Sequence, residues 1–302
     1  MESEIGFQLH DLPSGELPTQ ENNGLFVGSG DSYAACLLAQ LASGNKVLSC
    51  HPLDLVRDPS IADGRAVYVV SVSGKTRANI LAARTARKRG AHTVAITAKP
   101  DSPLVSYCDK VIQLNYAHSP IATAGTISFA ASVITCLSLA IKIKFPKSMS
   151  KLLTSAERQA DNVVGEMGTV RKSYFILADG ILFPLALYGA MKLNEVIGAR
   201  AVAYPAEEFC HSPLFSITKK DAILILGVQR GSDRTLARRL ARAGFDSRFV
   251  QISDDEILES VLHSTFFVQM LALKIAQKMK LKECYFLRNR QLLRISSDFI
   301  YG

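Results

Sequence analysis

Short apolar runs recur along this chain and alternate with longer stretches whose apolar positions repeat at helical spacing. "GLFV", "KVLSC", "AVYVVSV", "HTVAIT" and "KVIQL" are rich in β-branched residues, and segments such as "TRANILAARTARKRGA" lie between them. Runs that are apolar throughout belong to strands buried on both faces, and a helix between successive strands makes each connection a parallel crossover. The pattern predicts an α/β fold with a doubly wound parallel sheet. It then starts again with "YFILA", "RAVAY", "AILILGV" and "SRFVQI".

The two series fall in register. "GLFVGSGDSYAA" answers to "YFILADGILFPLA" about 151 positions later, and "KVLSCHPLDLVR" to "RAVAYPAEEFCH" at an offset of about 154. "AVYVVSVSGKTRANILAARTARKRGAHTVAIT" answers to "AILILGVQRGSDRTLARRLARAGFDSRFVQIS" at about 156. Two tandem, flavodoxin-like copies of one unit are therefore expected. An N-terminal segment takes residues 1–23 and the first domain 24–145; a linker containing a helix follows at 146–171, then the second domain at 172–302. Ligands of open parallel sheets bind at the carboxyl ends of the strands. There the first copy keeps Ser, Gly and Thr, whereas the second has "ADGILFP" and "GVQRGSD", so the copies are expected to do different jobs.

Composition narrows the field. At 302 residues and 48% hydrophobic, the chain can bury two ordinary cores. The uncharged stretch Ala117–Ile141 is broken by Pro120, Gly125 and several hydroxyl residues, which argues for a loop and a buried helix and against a membrane span. The N-terminus, "MESEIGFQLHDLPSGELPTQENN", is acidic and polar, unlike a secretory signal. Six cysteines without a C-x-x-C pair suit a reducing, cytoplasmic setting. The net charge of +8 is spread over helix faces such as "RTARKRG" and "RTLARRLARAG", with no aromatic interleaving. That reads as solvated surface rather than a nucleic-acid site, and it favours a small anionic substrate. Residues His10, His51, His92, His118 and His263 form no H-x-H or H-E-x-x-H pair, so neither a metal nor a cofactor is expected.

The turn Gly28-Ser29-Gly30-Asp31-Ser32 is built for close approach to the backbone. A dinucleotide fingerprint would need a third glycine where Tyr33 stands. "VSVSGKT" lacks the earlier glycine of a triphosphate loop. Ser32 and the run Ser71-Val72-Ser73-Gly74-Lys75-Thr76 instead open two neighbouring strand–loop–helix turns, each presenting N–H groups, hydroxyls and a positive helix end. Ordinary capping explains either loop alone. Two adjacent loops favour a phosphate dianion.

"GSGDSY" followed by "SVSGKT" resembles the sugar isomerase (SIS) domain family. The tandem arrangement resembles the isomerase domain of glucosamine–fructose-6-phosphate aminotransferases and their glutaminase-free relatives, over residue 24 to about 280. The resemblance implies a phosphosugar partner gripped by Ser32, Ser71, Ser73 and Thr76, with Gly30 in the turn and Val72 offering a backbone N–H. It also implies that Thr123, in "PIATAGT", belongs to a later substrate loop.

"GAMKLNEVIGARAVAYPAEEFCHSPL" (189–214) resembles the family's G-A-L-K-L-K-E…E-L-K-H-G-P-L, with the same sixteen-residue step from Glu195 to His211. Glu195 is expected near the end of a helix that starts around Pro184, and His211 on a loop held extended by Pro205 and Pro213. The resemblance implies that Glu195 carries a proton between C1 and C2 while His211 opens the sugar ring from across a homodimer. Interconverting an aldose and a ketose needs such an acid and such a base. Glu208 is a rival carboxylate whose repeat partner is Asp54.

The tail departs from the family. Arg288-Asn289 matches an Arg-Asn pair, but Leu292 stands where the family's lysine would be. Arg288, Arg290 or Arg294 is left to supply a cation, without Schiff-base chemistry. Asp31 replaces a threonine and Ser212 a glycine. No glutaminase or helix-turn-helix module is expected ahead of residue 24. The leading expectation is isomerisation of hexose or hexosamine 6-phosphates, followed by glucosamine-6-phosphate deamination, then phosphosugar sensing without catalysis.

Overall fold

The computed structural model describes residues 1–12, 23–117, 119–228, 231–253 and 256–302. Helix α1 (Glu2–Phe7) precedes the first copy. That copy runs β1 (Leu25–Gly28), α2 (Asp31–Ala42), β2 (Leu48–Cys50), α3 (Pro52–Arg57), β3 (Val67–Val70), α4 (Arg77–Lys88), β4 (Thr93–Thr97), β5 (Lys110–Gln113) and α5 (Ile127–Ala140). After α6 (Met149–Glu166), the second copy runs β6 (Ser173–Leu177), α7 (Phe183–Ile197), β7 (Arg200–Tyr204), α8 (Ala206–His211), β8 (Ala222–Gly227), α9 (Ser232–Arg242), β9 (Asp246–Gln251) and α10 (Ile257–Lys278). Two helices, α11 (Tyr285–Arg288) and α12 (Arg290–Tyr301), close the chain.

Every strand pairing is parallel. The first sheet has the order β2-β1-β3-β4-β5 and the second β7-β6-β8-β9. The duplication extends to the ladders. Leu25 sits between Leu48 and Val67, and Phe175 sits between Val202 and Ile223, so the two sheets share one register. Gly30 and Gly180 close the matching first turns with φ of 56° and 55°, a left-handed conformation that glycine adopts without steric cost. The fold is α/β, two tandem doubly wound parallel sheets.

Burial follows strand position. β1, β3, β4 and β8 are buried along their whole length, which is why they read as unbroken apolar runs. The edge strand β5 is largely exposed, and its sequence is correspondingly mixed. Helix α4 lays Ala82, Ala83 and Ala86 on the first core and turns its basic residues outward. Helix α9 does the same with Ala237 and Leu240. The arginine-rich segments are thus the solvated faces expected of them. Among the described residues one helical stretch, Gly180–Ile197, has the length and hydropathy of a membrane span, and 61% of it is buried inside the protein. All six cysteines are free thiols.

The chain divides into two compact units. One holds the first copy (Gly6–Pro120, Gly125–Ile143 and Gln291–Gly302) and the other the second copy (Met1–Ile5, Ile121–Ala124 and Lys144–Arg290). The C-terminal helix therefore groups with the first copy, although it follows the second in sequence. Two contacts account for this: Arg77 Nη1 donates to the Gly302 carbonyl at 3.0 Å, and Phe299, Ile300 and Tyr301 line a cavity with His51 and Pro52. The helix of the expected linker, α6, docks on α10 of the second copy. Lys274 Nζ reaches Glu157 at 2.8 Å, and Lys278 Nζ donates to the Val164 and Met167 carbonyls at 2.9 Å, a cation at a helix C-terminus.

His263 lies buried in that α6–α10 contact, with Nε2 3.3 Å from Ser155 Oγ and Nδ1 without a hydrogen-bond partner. Burial holds its pKa below the ordinary 6.5. The unfolded chain therefore takes up this proton first. Stability from this site is complete above pH 6.5, falls as pH drops below that value, and stops falling beneath the lower folded pKa. The slope approaches about 1.4 kcal/mol per pH unit for one proton. Urea midpoints at pH about 7.5 and about 5.5 should show the native chain losing more stability over that interval than His263→Gln. An equal loss in both proteins would place the titration elsewhere.

Candidate functional site

In the first copy, the turn from β1 into α2 is crowded. A Cβ on Gly28 would stand 2.8 Å from the Ser32 carbonyl carbon, so only glycine lets the helix begin this close to the strand. Gly30 is the N-cap of α2, with no side-chain capping bond, and Ser32 is buried in the first turn. Asp31 begins the helix, with Oδ2 3.4 Å from where a Cβ on Gly125 would lie.

The turn from β3 into α4 is held by its own backbone. Gly74 N donates to Ser71 O at 3.0 Å, and Ala98 N to Val72 O at 3.1 Å. The Ser73 hydroxyl accepts from Lys75 N at 3.3 Å. Thr76 is the N-cap of α4, yet its side chain makes no capping bond. Neither α2 nor α4 is capped by a side chain, so the capping explanation of these hydroxyls is not the one the structure adopts. Ser71 is buried, while Val72, Ser73 and Thr76 are half-buried.

A cavity of about 820 Å³ opens beside these turns. Gly30 and Thr76 line it; Ser32, Ser71, Val72 and Ser73 do not. Its other walls come from His51, Asp54, Arg57 and Arg77 on one side and from Phe299 and Tyr301 on the other. Asp54 lies 3.8 Å from Arg57, and Arg77 leaves the charge basic. His51 stacks on Tyr33 with ring centroids 3.8 Å apart. The matching crevice of the second copy, about 570 Å³, has Asp179, Glu207 and Asp233 with Arg239. Burial, and then the neighbouring Asp179, raises the Asp233 carboxyl above the usual carboxylate range. One duplicated position is thus basic in the first copy and acidic in the second. Gln229 and Arg230, in the middle of "GVQRGSD", lie outside the described residues, as does His118.

Glu195 sits near the end of α7, a helix begun at Phe183-Pro184 and stopped by Gly198 at φ 66°. Its side chain is 37% exposed, and Oε2 accepts a hydrogen bond from Lys192 Nζ at 2.5 Å. Lys192 is fully buried and stands 5.1 Å from the Tyr188 ring centroid. Lys192 went unread in the sequence. The signal was available as a lone lysine inside an apolar helical run, three residues before the glutamate.

His211 is a correction. It ends a short helix, α8, rather than lying on an extended loop. Pro205 precedes the first helical residue, where a proline is tolerated, and the Asp179 carboxylate accepts from Ala206 N at 3.0 Å. The His211 side chain is 71% exposed, with Nε2 3.8 Å from Glu207 Oε1. The rival carboxylate Glu208 is exposed on the same helix.

Thr123 belongs to the unit of the second copy, where its hydroxyl lies 3.7 Å from Cys284 Sγ, and not to the unit of the β1–α2 and β3–α4 turns. The three tail arginines are divided as well. Arg288 ends α11 and Arg290 starts α12, both in the second unit, while Arg294 is in the first and faces Asp298 at 3.7 Å, with both side chains exposed. Among the described residues no group of three or more His, Cys, Asp or Glu side chains is placed to hold a metal.

The fold defines a duplicated, doubly wound α/β protein. The family model of the SIS domain matches residues 19–142 and 169–243, and the chain belongs to that family. A curated relative, the isomerizing glutamine–fructose-6-phosphate aminotransferase of Sulfolobus acidocaldarius, is 26% identical over 276 residues, covering 86% of this chain and 46% of its own length. The chain spans between 30% and 46% of the length of the curated relatives it matches. The C-terminal domain of glucosamine–fructose-6-phosphate aminotransferase from Francisella tularensis superposes with a TM-score of 0.71 at 18% identity, over 91% of this chain and 92% of its own. Glucosamine-6-phosphate deaminase from Thermotoga maritima gives 0.69 at 21% identity, over 86% of each chain. Likeness at this distance shows a shared fold.

Gly74 has no room for a side chain. Its φ is 60°, and a Cβ would fall on the Ser102 hydroxyl. Gly74→Ala should destabilise the protein by about 2 kcal/mol or more, visible as a lowered Tm, from left-handed strain plus overpacking. Adding Ser102→Gly should recover the steric part only. An unchanged Tm for the single variant would contradict this geometry.

Proposed function

We propose that this protein is a sugar-phosphate aldose–ketose isomerase acting on a hexose or hexosamine 6-phosphate. The observation that carries the reading is the Lys192–Glu195 pair: a partly open carboxylate held at 2.5 Å by an ammonium that solvent does not reach. Membership of the SIS family and the two uncapped helix starts beside hydroxyl-rich turns support it.

In this reading the phosphate is received by the β1–α2 and β3–α4 turns, where Gly30 and the backbone N–H of Val72 join the hydroxyls of Ser32, Ser71, Ser73 and Thr76. Helix N-termini and uncommitted N–H groups suit a dianion. Thr123 contributes to the sugar pocket, and an arginine among Arg288, Arg290 and Arg294 supplies a cation near the carbonyl. His211 donates a proton to the ring oxygen and takes one from the anomeric hydroxyl, opening the hemiacetal. Its exposure suits a group that serves a second subunit in a homodimer. Glu195 then removes the C2 proton of the open aldose to give a cis-enediolate with the charge on O1. The O2 hydroxyl proton passes to O1, and the same carboxylate returns its proton to C1 as the C2 carbonyl forms. The carbonyl moves from C1 to C2, and no outside oxidant or reductant is needed. General acid–base steps of this kind are each worth about 10²–10⁴-fold. Deamination of glucosamine 6-phosphate shares the enolisation and adds loss of ammonia; the glucosamine-6-phosphate deaminase of Thermotoga maritima has the same fold.

Glu195→Gln should lower C2 proton exchange in heavy water by about 100-fold or more, while calorimetric affinity for fructose 6-phosphate stays within about twofold. Full exchange in that variant would remove Glu195 from the mechanism. Ammonia release from glucosamine 6-phosphate would select the deaminase, and tight binding without exchange a sensor.

Ser71→Ala combined with Ser73→Ala should raise KM for the phosphorylated sugar by roughly tenfold or more, and leave the unphosphorylated sugar nearly unaffected. Equal effects on both sugars would mean the hydroxyls do not meet a phosphate.

A further inference from the structure

Tyr188, Lys192 and Glu195 stand at i, i+4 and i+7 of α7, so their side chains follow one another along a single face. Lys192 is 0% exposed, and a buried ammonium needs its charge answered within the protein. Glu195 Oε2 answers it directly at 2.5 Å. The Tyr188 ring, with its centroid 5.1 Å from Nζ, answers it differently. An aromatic face attracts a cation through its quadrupole and brings no second negative charge to compete with the carboxylate. The ring therefore holds the ammonium in place and leaves its donor hydrogen directed at Glu195.

Tyr188 is itself fully buried, and its hydroxyl accepts a hydrogen bond at 3.0 Å from Nε2 of Gln269, a fully buried residue of α10. That bond exists because the two helices cross closely at the next residue along. A Cβ on Gly189 would stand 2.9 Å from Val268 Cγ1, so the glycine lets α10 approach until Gln269 reaches the phenol.

We infer that Tyr188 and Gln269 are positioning residues: Gln269 on α10 steadies the Tyr188 ring, the ring steadies the Lys192 ammonium, and the ammonium aims the Glu195 carboxylate. The inference rests on Glu195 being the proton-transfer group. It adds that the aim of this carboxylate is set two side chains away and from a second helix. Each acts on the carboxylate through Lys192.

The test compares Tyr188→Phe, Tyr188→Leu and Gln269→Leu in the full chain, using NMR of ¹³C-ε-labelled lysine and steady-state proton exchange with fructose 6-phosphate. The Lys192 signal is assigned by its loss in Lys192→Arg. In the native protein its ε-methylene should be displaced upfield by the ring current. Tyr188→Phe and Gln269→Leu, which both delete the amide–phenol bond, should each reduce that displacement to a similar degree, and Tyr188→Leu should abolish it. In Tyr188→Leu, kcat should fall by about tenfold or more with KM within about twofold, since small misplacements of a reacting group cost rate rather than binding. Tyr188→Phe and Gln269→Leu should show similar losses of kcat, both smaller than that of Tyr188→Leu. If Tyr188→Leu does not fold, Gln269→Leu carries the same split between kcat and KM.

A folded Tyr188→Leu with unchanged kcat, equal losses in Tyr188→Phe and Tyr188→Leu, or a Lys192 signal that ignores the ring would overturn the inference. Absence of exchange by the native protein with every hexose 6-phosphate would instead overturn the role of Glu195. The lysine spectra need no substrate, so the two failures are told apart.

Discussion

A helix that starts almost in contact with the strand it leaves is the constraint on which the candidate site of the first copy depends. Gly28 sits so close to Ser32 that a Cβ would overlap the helix backbone, and a Cβ on Gly227 would stand 2.9 Å from Asp233 Oδ2. Gly227 ends the third strand of its copy and meets the Asp233 side chain; the position that matches Gly28 is Ala178, so the close exit after a first strand belongs to the first copy. That exit brings the first turn of the helix, with its N–H groups and positive end, to the carboxyl edge of the sheet. Parallel strands put all such edges on one side of each sheet. Whatever a copy binds is accordingly met by side chains from the turns after its first, second and third strands.

Duplication kept this frame and released the side chains. The first copy carries Ser29 and Arg77 where the second carries Asp179 and, near the start of α9, Asp233. A change of a few side chains thus reverses the charge of a crevice without disturbing the ladders, because those side chains stand at strand ends and not in the core. The cores show the opposite restraint. Val67 and Val69 in one sheet, and Ile223 and Ile225 in the other, are buried apolar residues in equivalent strands.

The costliest feature of the second copy is the fully buried ammonium of Lys192. Leaving such a charge uncompensated costs several kcal/mol, and removing its partner alone is about 3–5 kcal/mol destabilising in comparable buried pairs. Glu195 and Tyr188 meet it with a carboxylate and an aromatic face, and Gln269, a neutral amide on another helix, holds the Tyr188 hydroxyl behind them. Of these three the carboxylate alone is charged, so the field of the lysine is spent mainly on it. The proposed base is therefore held by packed helices rather than by a loop.

The alternation of apolar runs with helical segments, and the matching offsets between halves, determined the architecture in advance, because burial on both faces of a parallel strand leaves no room for polar residues. Glu195 and the hydroxyl turns were legible for a similar reason: local motifs set their backbone, and the structure keeps Glu195 near the end of a helix begun beside Pro184. Other features depended on contacts between distant segments, which no local pattern encodes. The helix bearing His211 forms because the Asp179 carboxylate, far back in the chain, receives the Ala206 amide. The grouping of residues 291–302 with the first copy follows from Arg77 and the cavity wall, and that of Thr123 with the second from Cys284. Lys192 is marked in sequence only as a lone lysine in an apolar helical run; that it is fully buried was decided by the tertiary structure. Periodicity determined which face of each element is apolar; only the tertiary structure decided which polar groups lost their solvent, since desolvation depends on what lies opposite.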